Sequence, residues 1–187
     1  MSADSRERIL AAAKQVAQAR GYGGLNFRDV AAAVGIKAAS MYHHFPSKAD
    51  LGAAVARRYW EDSAADLEAI AAAEADPARA LGRYPETFRW ALANENRMCL
   101  CSFMAAEADD LPGPVREEVL AFADVHVAWL GKTLARAGVV PPDEVERRAR
   151  AIYAAVAGAQ LVARGRADIS VYDELIEGYR AAGLLPS

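Results

Sequence analysis

Residues 26–51 read NFRDVAAAVGIKAASMYHHFPSKADL. Asn26 is a strong helix N-cap, and Asp29 stands at the third helical position behind it, where a carboxylate favours the helix dipole. Phe27, Val30, Ala31 and Val34 recur at steps of three and four and make one apolar face. Gly35 follows, the residue that most readily takes the left-handed conformation that ends a helix. This spacing predicts a short helix over 27–34. Ile36 is expected as a buried turn residue. Lys37 to Phe45 predict another short helix with Met41 and Phe45 turned inward, ended by Pro46. Ser47, with Asp50 three residues on, caps a long helix whose buried stripe is Leu51, Val55, Tyr59, Leu67 and Ile70, reaching about Ala73.

The pattern continues on both sides of this stretch. Asp4 and Glu7 have capping-box spacing, and Ile9, Ala13, Val16 and Ala17 give a first helix that stops at Gly21. Asp76-Pro77 opens a helix to about Glu95, with a kink or break expected at Pro85. Met98 to Ala108 is apolar nearly all round, so a helix enclosed on every side is expected. Pro114 opens a long helix to about Ala137, and Asp143 opens another to about Arg164. Ser170 and Asp173 have the spacing of a cap for a last helix to about Ala182. The expectation is an all-α chain: an N-terminal three-helix head, residues 1–50, joined by a long helix to a helical body, residues 51–187.

Composition agrees with helix. Hydrophobic residues make up 53% of the 187, and alanine, which loses no side-chain entropy in a helix, dominates them. The net charge of −3 conceals an uneven distribution. Residues 1–60 carry nine Lys/Arg against four Asp/Glu, whereas the remainder carries thirteen against twenty-one. A basic head on an acidic body suits a phosphate-binding end. Two cysteines, Cys99 and Cys101, make no disulfide framework. The first residues lack a signal-peptide stretch, and the apolar run Ala151–Ala163, interrupted by Gln160, falls short of a membrane span. A cytoplasmic protein without membrane attachment is expected. With three histidines (His43, His44 and His126), neither cysteine near one in sequence, and no Gly-rich phosphate loop or nucleophile elbow, neither metal nor cofactor is expected.

A short helix, a glycine turn and a second helix bearing small and polar groups form a helix-turn-helix pattern, whose second helix enters a DNA groove. With Met41 and Phe45 inward, Lys37, Ala38, Ala39, Ser40, Tyr42 and His43 are left for double-stranded DNA. Small Ala38 and Ala39 allow close approach and can touch a thymine methyl. Lys37, Tyr42, Lys48 and Arg28 can reach phosphates. His44 is expected to pack against a neighbouring helix.

The segments Arg6-Glu7-Arg8-Ile9-Leu10, Gly21-Tyr22, Phe27-Arg28-Asp29-Val30-Ala31, Val34-Gly35-Ile36 and Ser40 to Leu51 resemble, in order and spacing, the DNA-binding domain of the TetR family. Asn26 departs from the Ser or Thr commoner at its place. The resemblance implies a homodimer that reads a near-palindromic operator. It also implies a small-molecule effector that releases the DNA, and a body whose last two long helices form the dimer bundle. On the Asp143 helix, Ala155 and Gly158 are small enough for close packing, and Ile152, Val156 and Val162 supply apolar area for that bundle. The segment Met98 to Val115 is similar to a subgroup with a cysteine-bearing helix, some of whose members respond to unsaturated acids or electrophiles.

Effector contacts are sought among polar groups inside apolar stretches. His126 shares a face with Phe122, Trp129 and Thr133, and Glu107 follows Cys99 and Phe103 at four-residue steps. Cys99, Phe103, Glu107, His126 and Trp129 are the candidate pocket residues. Each has a plainer reading: His126 and Glu107 as satisfied polar groups, the cysteines as small hydrophobes, the aromatics as core. The expected function is a ligand-responsive regulator, a repressor. The alternatives are a DNA-organising protein of the same fold without ligand response, or an all-α enzyme.

Overall fold

The computed structural model describes residues 3–186, and among these the regular structure is helical. In chain order the helices are α1 Ala3–Arg20, α2 Phe27–Val34, α3 Ala38–Met41, α4 Lys48–Ala73 and α5 Pro77–Arg83, then α6 Glu86–Ala93, α7 Leu100–Ala105, α8 Gly113–Ala137, α9 Val145–Arg166 and α10 Ile169–Ala181. Short 3-10 turns at Ala108–Asp110 and Pro142–Glu144 precede α8 and α9. Among the described residues no helix is long and apolar enough to cross a membrane.

The helices gather into two compact units. One joins the residues up to Glu61 with Cys99–Phe122; the other joins Asp62–Met98 with the residues from Ala123 onward. Helices α4 and α8 contribute residues to both. In the first unit α1 packs on α2 and on α7, and α2 packs on α3. Its core holds Ile9, Ala13, Leu25, Val30, Met41, Phe45, Leu51 and Val55 with Leu100, Met104 and Val115, all buried. In the second unit α9 packs on α6 and α10. There Leu81, Tyr84, Phe88, Leu130, Ile152, Val156, Tyr172 and Ile176 are buried together with His126 and Gln160.

Most expected breaks fall where the chemistry puts them. Asn26 Oδ1 accepts the Asp29 amide at 2.9 Å, and Gly35 closes α2 with φ 73°. Ser47 Oγ accepts the Asp50 amide at 3.2 Å and donates to its carboxylate at 2.7 Å, so the serine caps α4 and the carboxylate orients its hydroxyl. The helix expected up to Glu95 breaks at Tyr84–Pro85 into α5 and α6. Elsewhere the boundaries differ. α1 begins at Ala3, so Asp4 lies in its first turn rather than capping it. α3 ends at Met41 and the chain continues through turns to Phe45, whose amide still reaches the Met41 carbonyl at 2.9 Å. The cap of α10 is Asp168, not Ser170; its carboxylate accepts the Ser170 amide at 2.9 Å. A carboxylate two residues upstream competes successfully with the serine hydroxyl for the first free amide.

The segment Met98 to Ala108 is not enclosed on every side. Leu100, Cys101 and Met104 are buried, but Ala105 and Ala106 are exposed and only Leu100–Ala105 is helical. Alanine on an outer face looks apolar in sequence and costs little in water.

Candidate nucleic-acid interface and buried polar sites

The helix-turn-helix is tied from its own ends. Gly35 donates to the Ala31 and Ala32 carbonyls, and Arg8 from α1 donates to the Val34 carbonyl at 2.7 Å, satisfying the end of α2. Lys37 enters α3 in an extended conformation. Arg28, Lys37, Ala38, Ala39, Tyr42 and His43 are exposed, whereas Ser40 and Lys48 are half-buried. Tyr42 is 62% exposed, with its ring edge on Phe27 at 4.9 Å between centroids. A large aromatic held rigid yet uncovered has its polar tip available to a phosphate. His44 is half-buried, with its ring 6.5 Å from that of the adjacent Phe45.

Lys48 is already engaged. Its ammonium donates to the Gly23 carbonyl at 3.3 Å and sits 4.4 Å from the centroid of the Tyr22 ring. The same turn binds a carboxylate. Glu107 accepts the Tyr22 amide at 2.5 Å and the Gly23 amide at 2.9 Å. Gly21 precedes them with φ 68°, and a side chain there would collide with the Glu107 carboxylate. Successive amides beside a left-handed residue form an anion-binding nest. Glu107, expected in a ligand pocket, is therefore committed to backbone amides. The sequence showed the glycines of this turn but gave no sign of a partner about 85 residues away.

Cys99, Phe103 and Glu107 do not form the helical stripe expected of them. Cys99 precedes α7 in an extended conformation (φ −52°, ψ 125°), so four-residue steps from it do not follow one helix face. Both cysteines are buried and free of disulfide. Burial pushes both thiols up, Cys101 furthest, which disfavours the thiolate. Burial likewise raises the Tyr59 hydroxyl beside Cys99. Nearby, Glu118 is 8% exposed and accepts from Arg57 Nε at 2.9 Å and from Trp60 Nε1 at 2.8 Å. Burial alone would raise this carboxyl, but the hydrogen bonds from Arg57 and Trp60 outweigh it and hold the group below its ordinary range.

In the second unit His126 is 1% exposed. Its Nδ1 lies 2.9 Å from the Tyr84 hydroxyl and its Nε2 lies 2.9 Å from Ser63 Oγ. Tyr84, Phe88 and Tyr153 pack their rings within 5.9 Å of the imidazole, and Trp129 stacks on Tyr84 at 6.0 Å. The structure thus places His126 and Trp129 in one aromatic cluster of the second unit, while Cys99, Phe103 and Glu107 belong to the first.

α9 has two distinct faces. Ile152 and Val156 are fully buried in the core of their own unit and are not available to a partner chain, contrary to expectation. Gly158 and Val162 are exposed and Ala155 is half-buried, beside exposed Ala151, Ala154 and Leu161. Nothing lies within 4 Å of a side chain built at Gly158. The helix is so rich in alanine that its apolar stripe extends all round, and only the bulky residues mark the inner face.

The sequence profile described as "Bacterial regulatory proteins, tetR family" matches residues 9–55. No curated protein matches the chain by sequence. Solved structures are similar along nearly the whole length. A TetR transcriptional regulator from Legionella pneumophila has a TM-score of 0.89 and 29% identity, covering 97% of this chain and 98% of its own. A TetR-family transcriptional regulator from Agrobacterium tumefaciens has 0.87 and 28%, covering 94% and 95%. The regulator FadR from Bacillus subtilis, in complex with stearoyl-CoA, shares the fold at 0.73 with 14% identity, covering 91% and 95%.

Burial lowers the His126 imidazole from its ordinary value to about 3, so it is neutral in the folded chain down to that pH. In the unfolded chain the same group binds a proton near pH 6.5. The unfolded state therefore binds more protons as pH falls, and stability is lost from about pH 6.5 toward 3, by at most about 1.4 kcal/mol per pH unit from this group. Denaturant titrations over that range should show a shallower decline for His126→Gln than for the wild type. Equal slopes would place the acid sensitivity elsewhere.

Proposed function

We propose that the chain, whose residues 9–55 match the profile of the tetR family of bacterial regulatory proteins and whose fold is that of TetR-family regulators, is a ligand-responsive repressor that binds a near-palindromic operator as a homodimer and leaves it when a small molecule binds. The observation that carries this reading is the helix-turn-helix within residues 9–55, with Lys37, Ala38, Ala39, Tyr42 and His43 exposed beside a buried Met41–Phe45 face. In this reading residues 1–50 read DNA and residues 51–187 bind effector and partner. The protein works in the cytoplasm, on the nucleoid, and is not an enzyme.

Arg28, Lys37, Tyr42 and Lys48 contact phosphates, while Ser40 and His43 face base edges with Ala38 and Ala39. Affinity measured on fluorescent duplexes across a salt series tests this. Lys48→Ala and Tyr42→Phe should weaken binding to all sequences, with Lys48→Ala lowering the salt slope by about one. Substitutions of Ser40 or His43 should instead change sequence preference. Wild-type affinity in variants that combine any two of these substitutions would overturn the assignment.

The partner face of α9 is its exposed side, built from Ala155, Gly158 and Val162 with Ala151, Ala154 and Leu161. Small residues let two such helices approach closely, and a two-fold axis pairs the patch with itself. Gly158→Glu should give a folded monomer in light scattering, whereas Ile152→Glu should unfold the chain by burying an unpaired charge. A wild type that is monomeric at micromolar concentration would refute the dimer.

The effector site proposed is the His126 cluster with Trp129, an apolar surround with a few convergent polar groups. Cys99 and Cys101, with raised thiols, serve as core residues in this reading. A metabolite that raises the melting temperature and releases DNA should lose both effects in His126→Phe and keep them in Cys99→Ser and Cys101→Ser. The opposite pattern would move the site to the cysteines.

A further inference from the structure

We infer that Glu107 is a positioning residue for DNA binding: through the Gly21–Gly23 turn it holds the Lys48 ammonium in place, so that part of the affinity is set outside the helix-turn-helix. The inference rests on the reading of Lys48 as a phosphate contact. Its links are all within the first unit. The Glu107 carboxylate accepts the amides of Tyr22 and Gly23, at 2.5 and 2.9 Å. The same two residues carry Lys48: the Gly23 carbonyl takes its ammonium at 3.3 Å, and the Tyr22 ring lies 4.4 Å below it. Tyr22 is itself fixed, 8% exposed and in close approach to Gly52 of α4, where an added Cβ would come within 2.8 Å of the ring.

The turn cannot hold this shape cheaply without the carboxylate. It is a glycine-rich run, Gly21-Tyr22-Gly23-Gly24, with maximal backbone freedom in the unfolded and loosened states. Two adjacent amides converge on one point, and a charged acceptor satisfies both at once. With the carboxylate present, the Gly23 carbonyl has a fixed direction and Lys48 a fixed partner.

An ammonium has three donors, and Gly23 uses one. The half-buried Lys48 therefore keeps donors for a phosphate while its long stem is already ordered. An ordered lysine loses less entropy on contact than one that must be frozen at that moment. Glu107 lies between α7 and the 3-10 turn Ala108–Asp110. Any change that shifts this segment withdraws the carboxylate from the turn and loosens Lys48.

The test is a double-mutant cycle on the full chain, reading binding to a fluorescent mixed-sequence duplex over a salt series. Glu107→Ala should weaken binding about three- to tenfold and lower the salt slope by a fraction of the unit lost in Lys48→Ala, because a loosened Lys48 meets its phosphate in fewer of the complexes. The double variant should be no weaker than Lys48→Ala alone, because both changes act through the same contact. Glu107→Gln, which keeps one acceptor and the volume, should fall between wild type and Glu107→Ala, and serves in its place should the alanine variant not fold. Losses that add in the double variant, or an unchanged slope in both Glu107 variants beside a lowered slope in Lys48→Ala, would overturn the inference. Lys48→Ala with wild-type affinity and slope would instead strike the phosphate contact on which the inference rests.

Discussion

The turn between α1 and α2 is the constraint on which the first unit depends. Gly21 holds φ 68°, and only glycine takes that angle there without meeting the Glu107 carboxylate. From this turn Tyr22 reaches the Gly52 step of α4, where the Val115 side chain of α8 also closes in, 3.1 Å from where a Cβ would stand. Gly52 would gain about 1 kcal/mol of helix propensity as alanine. The collision with a rigid ring and a β-branched side chain, of order 1–3 kcal/mol, outweighs that gain. The absence of a side chain is thus what lets three elements meet at one point.

Polar groups inside the two units obey the same economy of partners. Glu118 would be costly as a lone buried charge, yet two donors, Arg57 and Trp60, make the ionised form the stable one. His126 lies between two hydroxyls, and burial holds it neutral. Gln160, fully buried, donates to the Phe88 carbonyl at 2.7 Å. The Tyr172 hydroxyl donates at 2.7 Å to the Pro85 carbonyl, which also accepts the Phe88 and Arg89 amides at the start of α6, and so ties α10 to the point where α5 and α6 part. Each of these groups fits one arrangement of its neighbours, so they fix the packing register that alanine surfaces leave undetermined.

What was legible in the sequence was local. The Asn26 cap, the Gly35 stop, the Ser47–Asp50 box and the break at Pro85 all follow from interactions within a few residues, and the structure has each of them. The exposure of Lys37, Ala38, Ala39, Tyr42 and His43 follows from the inward face of Met41 and Phe45, a local argument too. What was not legible was long-range pairing. Glu107 sits on a face that reads as a continuation of the cysteine stripe, and its backbone partners carry no side-chain signature. On α9 periodicity alone could not separate inner from outer residues, because alanine is compatible with both. Ile152 and Val156 were therefore assigned to the partner surface although their bulk is what fills their own core. The cap of α10 escapes the sequence for a different reason: Asp168 and Ser170 both have cap chemistry, and spacing does not rank them.

Alanine abundance has an energetic consequence for the second unit. An alanine buries little area, so the apolar free energy of such a unit is concentrated in its few large side chains. Tyr84, Phe88 and Tyr172 are among the largest fully buried residues, and two of them carry the hydroxyls that satisfy His126 and Pro85. Packing and polar satisfaction therefore fall on the same residues. A molecule that took the Tyr84 hydroxyl or the His126 imidazole as its partner would also have to displace the rings of the Tyr84–Trp129 stack. Polar recognition there cannot be separated from repacking, because interiors filled to crystal density respond to an added group by changing arrangement rather than by yielding smoothly. Any molecule that entered there would therefore change the structure as it bound.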